Sequence, residues 1–284
     1  MLSAGDNSDL SWVELRKRYE EFGAATPTAP DIERTSVMIG AMAAEWSKPK
    51  GADETKVILY LHGGGYVIGS LKTHRAMVGE FARDFGGLIL AIDYRLGPED
   101  PFPAAVEDAL AAYKFLLAQS FKPQRIIISG DSAGGGLTLA LLMAIRDAGL
   151  AMPAGGWCIS PWADLTCSGD TMALKAEADS LVNKEVLLKM ADGYLNGADP
   201  AQPAASPVFG SYAGLPPVLI QVGSAETLLD DSVAVARACG LADVPVTLEI
   251  WPHMIHVWHF FCGLIDEGKQ AIKVGAGWCN RQLS

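Results

Sequence analysis

The sequence predicts an α/β fold, a mostly parallel central sheet flanked by helices. Three observations carry that prediction. Val57-Ile58-Leu59-Tyr60-Leu61 is wholly apolar, as a strand buried on both faces must be. Similar runs recur at 88–92, 125–129, 155–159, 218–222 and 246–250. Stretches of helical length and pattern separate most of them, at 73–85, 104–119, 133–148 and 232–239, so strand and helix alternate. Composition agrees: of 284 residues, 50% are hydrophobic and 19% charged. That excludes a disordered chain and suffices for a large core without disulfides or metal.

Taken in order, the chain begins with a small element of its own, residues 1–34. Met1 to Asp9 has neither the cationic start nor the apolar run of a signal peptide. Trp12, Leu15, Tyr19 and Phe22 recur every three to four residues, which makes one helical stripe. Ser11 is placed to cap that helix, with Glu14 as its box partner. Thr26-Pro27-Thr28-Ala29-Pro30 breaks it. Residues 36–46 read as an edge strand and 48–51 as a turn. The α/β domain then occupies 35–284, interrupted at about 163–213. That insertion carries a helical pattern at 181–195 between Gly-, Asp- and Pro-rich segments. The N-terminal helix is expected to pack with it as a lid, because so short an amphipathic helix is marginal alone. An amphipathic helix is expected again at 267–283.

Acidic residues outnumber basic ones 33 to 22, a formal charge of −11. That argues against nucleic acid or an anionic membrane surface as partner. No apolar stretch reaches the roughly 20 residues that span a bilayer. The five cysteines are odd in number and form no C-x-x-C pair, so free thiols in a reducing cytoplasm are expected rather than a zinc site or disulfide framework.

The sharpest chemical signal is Gly130-Asp131-Ser132-Ala133-Gly134-Gly135, between an apolar strand and a helix. G-x-S-x-G in that setting is a nucleophile elbow. The serine sits on a tight, strained turn, and residues two before and two after it approach so closely that only small ones fit. The following helix aims its N-terminal N–H groups at the site of a developing oxyanion. The second signal is His62-Gly63-Gly64-Gly65-Tyr66, directly after the strand at 57–61. Its glycines leave backbone N–H groups unshielded. Together with the N–H of Ala133 they suit a three-donor oxyanion hole. A phosphate loop is the rival, but the G-x-x-x-x-G-K-[ST] pattern is absent. His62 is expected to hold the loop shape rather than to act on substrate.

A nucleophilic serine needs a base, and the base needs an orienting acid. Only His253, His256 and His259 follow the elbow, all after the run at 246–250. Glu226, Asp230 and Asp231 follow the run at 218–222. The regular histidine spacing invites a metal reading, yet metal pairs on a helix sit at i, i+4 with a carboxylate close by.

These residues together identify a family. The chain resembles the bacterial hormone-sensitive-lipase-like carboxylesterases of the α/β-hydrolase superfamily. The resemblance rests on His62-Gly63-Gly64-Gly65, on Asp93-Tyr94-Arg95-Leu96-Gly97-Pro98-Glu99-Asp100-Pro101-Phe102-Pro103-Ala104-Ala105, and on Gly130-Asp131-Ser132-Ala133-Gly134-Gly135. Ser160-Pro161-Trp162-Ala163-Asp164-Leu165-Thr166 and the His256 segment agree with it. It implies an α/β-hydrolase fold with a helical cap and a serine carboxylesterase that uses no metal or organic cofactor. It assigns the acid to Glu226, which precedes Thr227-Leu228-Leu229-Asp230, and the base to His256, followed by Val257-Trp258. Most members carry aspartate at the acid, so Asp230 stands as second candidate. Asp100 also departs from the family's usual histidine.

The expected machinery is therefore Ser132, His256 and Glu226, with an oxyanion hole of Gly63, Gly64 and Ala133 and with Gly65 as the alternative donor. Arg95 and Glu99 are expected to pair and hold the connection at 94–103. Trp12, Phe22, Trp162, Tyr194 and Trp258 are candidate pocket walls, and a capped pocket favours short to medium acyl chains. The partner is a small ester. A homodimer is an expectation from the family. Two rivals share the fold: a small-molecule receptor that has lost its catalytic histidine, and an amide or peptide hydrolase, because fold and triad do not name the leaving group.

Overall fold

The computed structural model describes residues 10–284. The first helix, α1 (Trp12–Ala25), starts where expected. Ser11 N–H donates to the Glu14 carboxylate, and Glu14 N–H donates back to Ser11 Oγ. The sheet begins earlier than the sequence pattern implied. In place of one edge strand at 36–46 there is a hairpin, β1 (Ile32–Ile39) and β2 (Met42–Pro49), paired antiparallel from Ile39↔Met42 outward. Its two-residue turn puts Gly40 at φ 61°, the glycine-first geometry of a type II′ turn. Gly40-Ala41 lacks the usual Asn-Gly signature, so the turn was hidden inside an apparently continuous strand.

The remaining strands and helices alternate. They are β3 (Asp53–Leu61), α2 (Leu71–Phe85), β4 (Gly87–Ile92), α3 (Ala104–Ala118), β5 (Ile126–Asp131), α4 (Ala133–Asp147) and β6 (Gly155–Ile159). After the long connection that holds α5 (Thr171–Leu174) and α6 (Lys184–Leu195) come β7 (Val218–Gly223), α7 (Leu229–Leu241), β8 (Val246–Trp251) and α8 (Asp266–Gln282). The eight strands form one sheet in the order β1-β2-β4-β3-β5-β6-β7-β8. From β4 through β8 every pairing is parallel.

The apolar runs are explained by two cores, one on each face of the sheet. Val57, Leu59 and Leu61 point into one core with α3, α4 and α7; Ile58 and Tyr60 point into the other with α2 and α8. Successive side chains of a strand face opposite ways, so a strand covered on both sides has no polar face to show. β8 lies at the sheet edge and is only half buried. All five cysteines are free and buried. No described helix is long and apolar enough to cross a membrane. Parallel strands share their C-terminal ends, and the loops after β3, β5, β7 and β8 converge there, where open α/β sheets bind ligands.

Candidate active site

Ser132 caps α4 at φ 55°, ψ −121°, a region that costs a non-glycine residue about 1–3 kcal/mol. The turn survives because its neighbours have no side chains. A Cβ on Gly130 would lie 2.3 Å from the Gly134 carbonyl oxygen, and one on Gly134 would lie 2.0 Å from that of Leu61. The strain presents Ser132 Oγ clear of the sheet, 2.9 Å from His256 Nε2. His256 Nδ1 lies 2.8 Å from Glu226 Oε2. The glutamate can only accept, so the ring proton sits on Nδ1 and Nε2 is free to accept from the serine.

Glu226 is wholly buried, and its second oxygen is also satisfied. Ser160 Oγ–H donates to Oε1 at 2.7 Å and Gly223 N–H at 2.6 Å. Ser160 in turn accepts Val257 N–H at 3.2 Å, beside His256. Burial pulls the His256 imidazole down, but the hydrogen bond and charge of Glu226 outweigh it and hold the ring above the ordinary histidine value.

The other candidates are drawn elsewhere. Asp230 accepts Thr171 N–H at 2.8 Å. Asp231 accepts the N–H groups of Ala163 and Asp164, and burial pushes it up to about 8. The His253 ring is exposed; His259 is buried against Gln221 Oε1 at 3.0 Å and is held down to about 3 by burial. The three histidines thus diverge. His62 donates from Nδ1 to the Gly63 carbonyl at 2.8 Å and stacks on Tyr94, whose hydroxyl holds the His62 carbonyl. It shapes the loop, as its sequence context implied.

Gly63, expected among the oxyanion-hole donors, turns its N–H away from the cavity. Gly63 N–H donates to Asp131 Oδ1 at 3.0 Å, and a bond already made to a buried carboxylate is not available to substrate. Gly64 and Gly65 line the cavity beside Ser132, whereas Gly63 does not. Asp131 is the residue the sequence reading passed over. Fully buried, it also accepts Tyr60 O–H at 2.5 Å and faces His74 Nε2 at 3.3 Å. One carboxylate thereby ties the elbow to the glycine loop.

The cavity over Ser132 and His256 is apolar. Ile68, Leu181, Val186, Leu187, Met190 and Phe260 supply most of its wall, with Tyr19 from α1. α6 sits so close to the glycine loop that a Cβ on Gly65 would lie 2.2 Å from Met190 Sδ. The aromatics proposed from sequence do not line it. Tyr194 stacks on Tyr66 at 4.1 Å, Trp162 donates to the Asp164 carbonyl, and Trp258 packs on Trp251. These three are wholly buried core residues, whereas Trp12 and Phe22 of α1 are only half buried and stay outside the cavity wall. Arg95 and Glu99 also fail to pair. Arg95 holds Asp108 at 2.8 Å, and Glu99 holds Arg16 of α1 at 2.7 Å; only the folded chain brings α1 close enough to take the glutamate.

Comparison with known proteins places the chain. The alpha/beta hydrolase fold profile matches residues 58–260. An esterase from the bacterial hormone-sensitive lipase family superposes with a TM-score of 0.95 at 45% identity, over 97% of this chain and 93% of that one. The chain belongs to that family. The crystal structure of EstE5, soaked by p-nitrophenyl butyrate, is 50% identical with a TM-score of 0.95, over 99% of this chain and 94% of that one. An acetyl-hydrolase from Streptomyces hygroscopicus is 48% identical over 94% of this chain and 87% of its own.

Proposed function

We propose that this carboxylic ester hydrolase works through Ser132, His256 and Glu226 on short- to medium-chain esters. The observation that carries the reading is the continuous chain from Ser132 Oγ through the imidazole to Glu226, at 2.9 and 2.8 Å. Ser132 Oγ attacks the ester carbonyl carbon while its proton passes to His256 Nε2. Glu226 keeps the tautomer and stabilises the imidazolium that forms. The N–H groups of Gly64, Gly65 and Ala133 receive the oxyanion. Collapse expels the alkoxide, which takes the proton from Nε2 and leaves as alcohol. Water, deprotonated by the same nitrogen, attacks the acyl-enzyme; the acyl–Oγ bond breaks, Ser132 Oγ takes the proton back from Nε2, and the acid is released.

The closeness of α6 to the glycine loop supports a short pocket, as does the butyrate ester soaked into one relative and the acetyl-hydrolase designation of another. On the same reading, α1 and the connection at 163–213 form a cap over the α/β domain, and the open edge at β8, together with α8, carries a homodimer. Light scattering that gives a monomer at micromolar concentration removes the dimer.

The test is turnover of p-nitrophenyl esters from acetate to palmitate by wild type and Ser132→Ala. Turnover concentrated at short and medium chains and lost in the variant is expected. A folded wild type that turns over no chain length sinks the general-esterase reading in favour of a binding protein or an amide hydrolase.

A further inference from the structure

Asp179 belongs to the long connection between β6 and β7, outside every motif that identifies the family. It is only 6% exposed, and its carboxylate is fully used. Oδ1 accepts the N–H groups of Leu181 and Val182 at 3.1 and 3.0 Å. Those two bonds alone would make a local turn. Oδ2 does something a turn does not need. It reaches across 48 residues to accept both the N–H and the hydroxyl of Thr227, at 2.9 and 3.0 Å.

Both ends of this staple matter. Leu181 and Val182 line the cavity over Ser132 and open the wall that Val186, Leu187 and Met190 continue. Thr227 is wholly buried and directly follows Glu226. A second tie runs alongside: Thr171 Oγ1 donates to the Thr227 carbonyl at 2.8 Å, and Asp230 Oδ2 accepts Thr171 N–H at 2.8 Å. Thr171, however, does not line the cavity; Asp179 joins the lining residues Leu181 and Val182 to the acid's loop.

We propose that Asp179 is a positioning and specificity-determining residue: it locks the Leu181–Val182 wall to the loop that carries Glu226, so the pocket's length is set in register with the machinery. The proposal rests on the assignment of Glu226 as the acid. Its consequence is that loosening the staple lets the wall retreat and admits longer chains that the wild type rejects. Misplacing a substrate by about 1 Å costs on the order of 10²-fold in rate, so a wall held or released at this site is read directly in the chain-length profile.

Asp179→Asn is the decisive variant. The amide keeps an oxygen for Leu181 and Val182, but its NH₂ then faces the Thr227 N–H, donor against donor. The expected result is a flattened profile: the ratio of kcat/KM between the preferred p-nitrophenyl ester and the ester four carbons longer falls by about tenfold. A second readout separates positioning from general damage. The negative groups that face His256 are Glu226, Asp179 and Asp131. All favour the imidazolium, so losing the Asp179 charge moves the acid limb of kcat/KM to lower pH.

Thr227→Val retains that charge and removes only one of the four donors. It is expected to shift the profile the same way by about two- to threefold, with the acid limb in place, since one hydrogen bond contributes about 0.5–1.5 kcal/mol. A folded Asp179→Asn with the wild-type profile, or with a uniform loss at every chain length, overturns the proposal. If Asp179→Asn does not fold, an unchanged profile in Thr227→Val overturns it. Hydrolysis that persists in Ser132→Ala defeats the triad reading alone, because the profile is read on whatever esters the wild type turns over.

Discussion

Single side chains decide the chemistry of this site. Ser160 serves two masters, donating to Glu226 Oε1 and accepting from Val257 N–H. Ser160→Ala leaves the second of these donors buried and unpaired, at a cost of about 1–3 kcal/mol. Urea denaturation is expected to reveal that loss together with a fall in kcat; a variant with wild-type stability and kcat contradicts it. The acid–base couple makes a pH prediction. On the proposed mechanism His256 must be neutral to accept the serine proton, and Glu226 holds its pKa above the ordinary value. Activity therefore falls as pH drops through that raised pKa. In Glu226→Gln the stabilising charge is gone, so the acid limb moves to lower pH while kcat drops on the order of 10⁴-fold. A pH–rate profile checks both, and an unmoved limb refutes the coupling. Asp131→Asn tests the tie between elbow and glycine loop. Removing one oxyanion donor costs about 10²–10³-fold in kcat; misaligning the loop is expected to cost about tenfold or more, with KM changed less than kcat.

Secondary elements decide how those side chains are held. α1 is pinned by Arg16, whose guanidinium donates to the carbonyls of Val67 and Gly97 at 2.7 and 2.6 Å and pairs with Glu99. The exposed ion pair contributes little; the two carbonyl bonds dock the helix and bring Tyr19 to the cavity. Arg16→Ala is expected to raise KM several-fold with kcat nearly kept, and to speed proteolysis near residue 26. Equal KM and equal proteolysis would show that α1 docks through its apolar stripe alone. The elements themselves were legible where a local rule governs them. The capping box at Ser11 and Glu14 and the helix stop at Pro27 needed no distant partner. The hairpin at Gly40-Ala41 was not legible, because its turn needs one positive φ and nothing in the flanking composition interrupts the strand.

The sheet as a unit explains why residues so far apart in sequence meet. Its parallel strands end together, so loops after β3, β5, β7 and β8 converge at one edge, and Ser132 meets a histidine 124 residues later. Two apolar layers, α3, α4 and α7 on one face and α2 and α8 on the other, hold that edge rigid.

Residue type and order were enough for the alternation of strand and helix, the strained serine turn with its small neighbours, and the short roster of acids and histidines from which a triad is drawn. Each follows from a local constraint: apolar runs for strands covered on both faces, missing side chains where backbones touch. Packing across the chain did the rest. Glu226 and Asp230 are four residues apart and chemically alike, yet one faces His256 and the other Thr171, because the turn after β7 aims them in different directions. Gly63 and Gly65 are indistinguishable as letters, yet Asp131 consumes the N–H of the first and leaves the third at the cavity wall. The choice among equivalent residues is made by the hydrogen-bond partner each one meets, and a partner far away in sequence is visible only when the chain is folded.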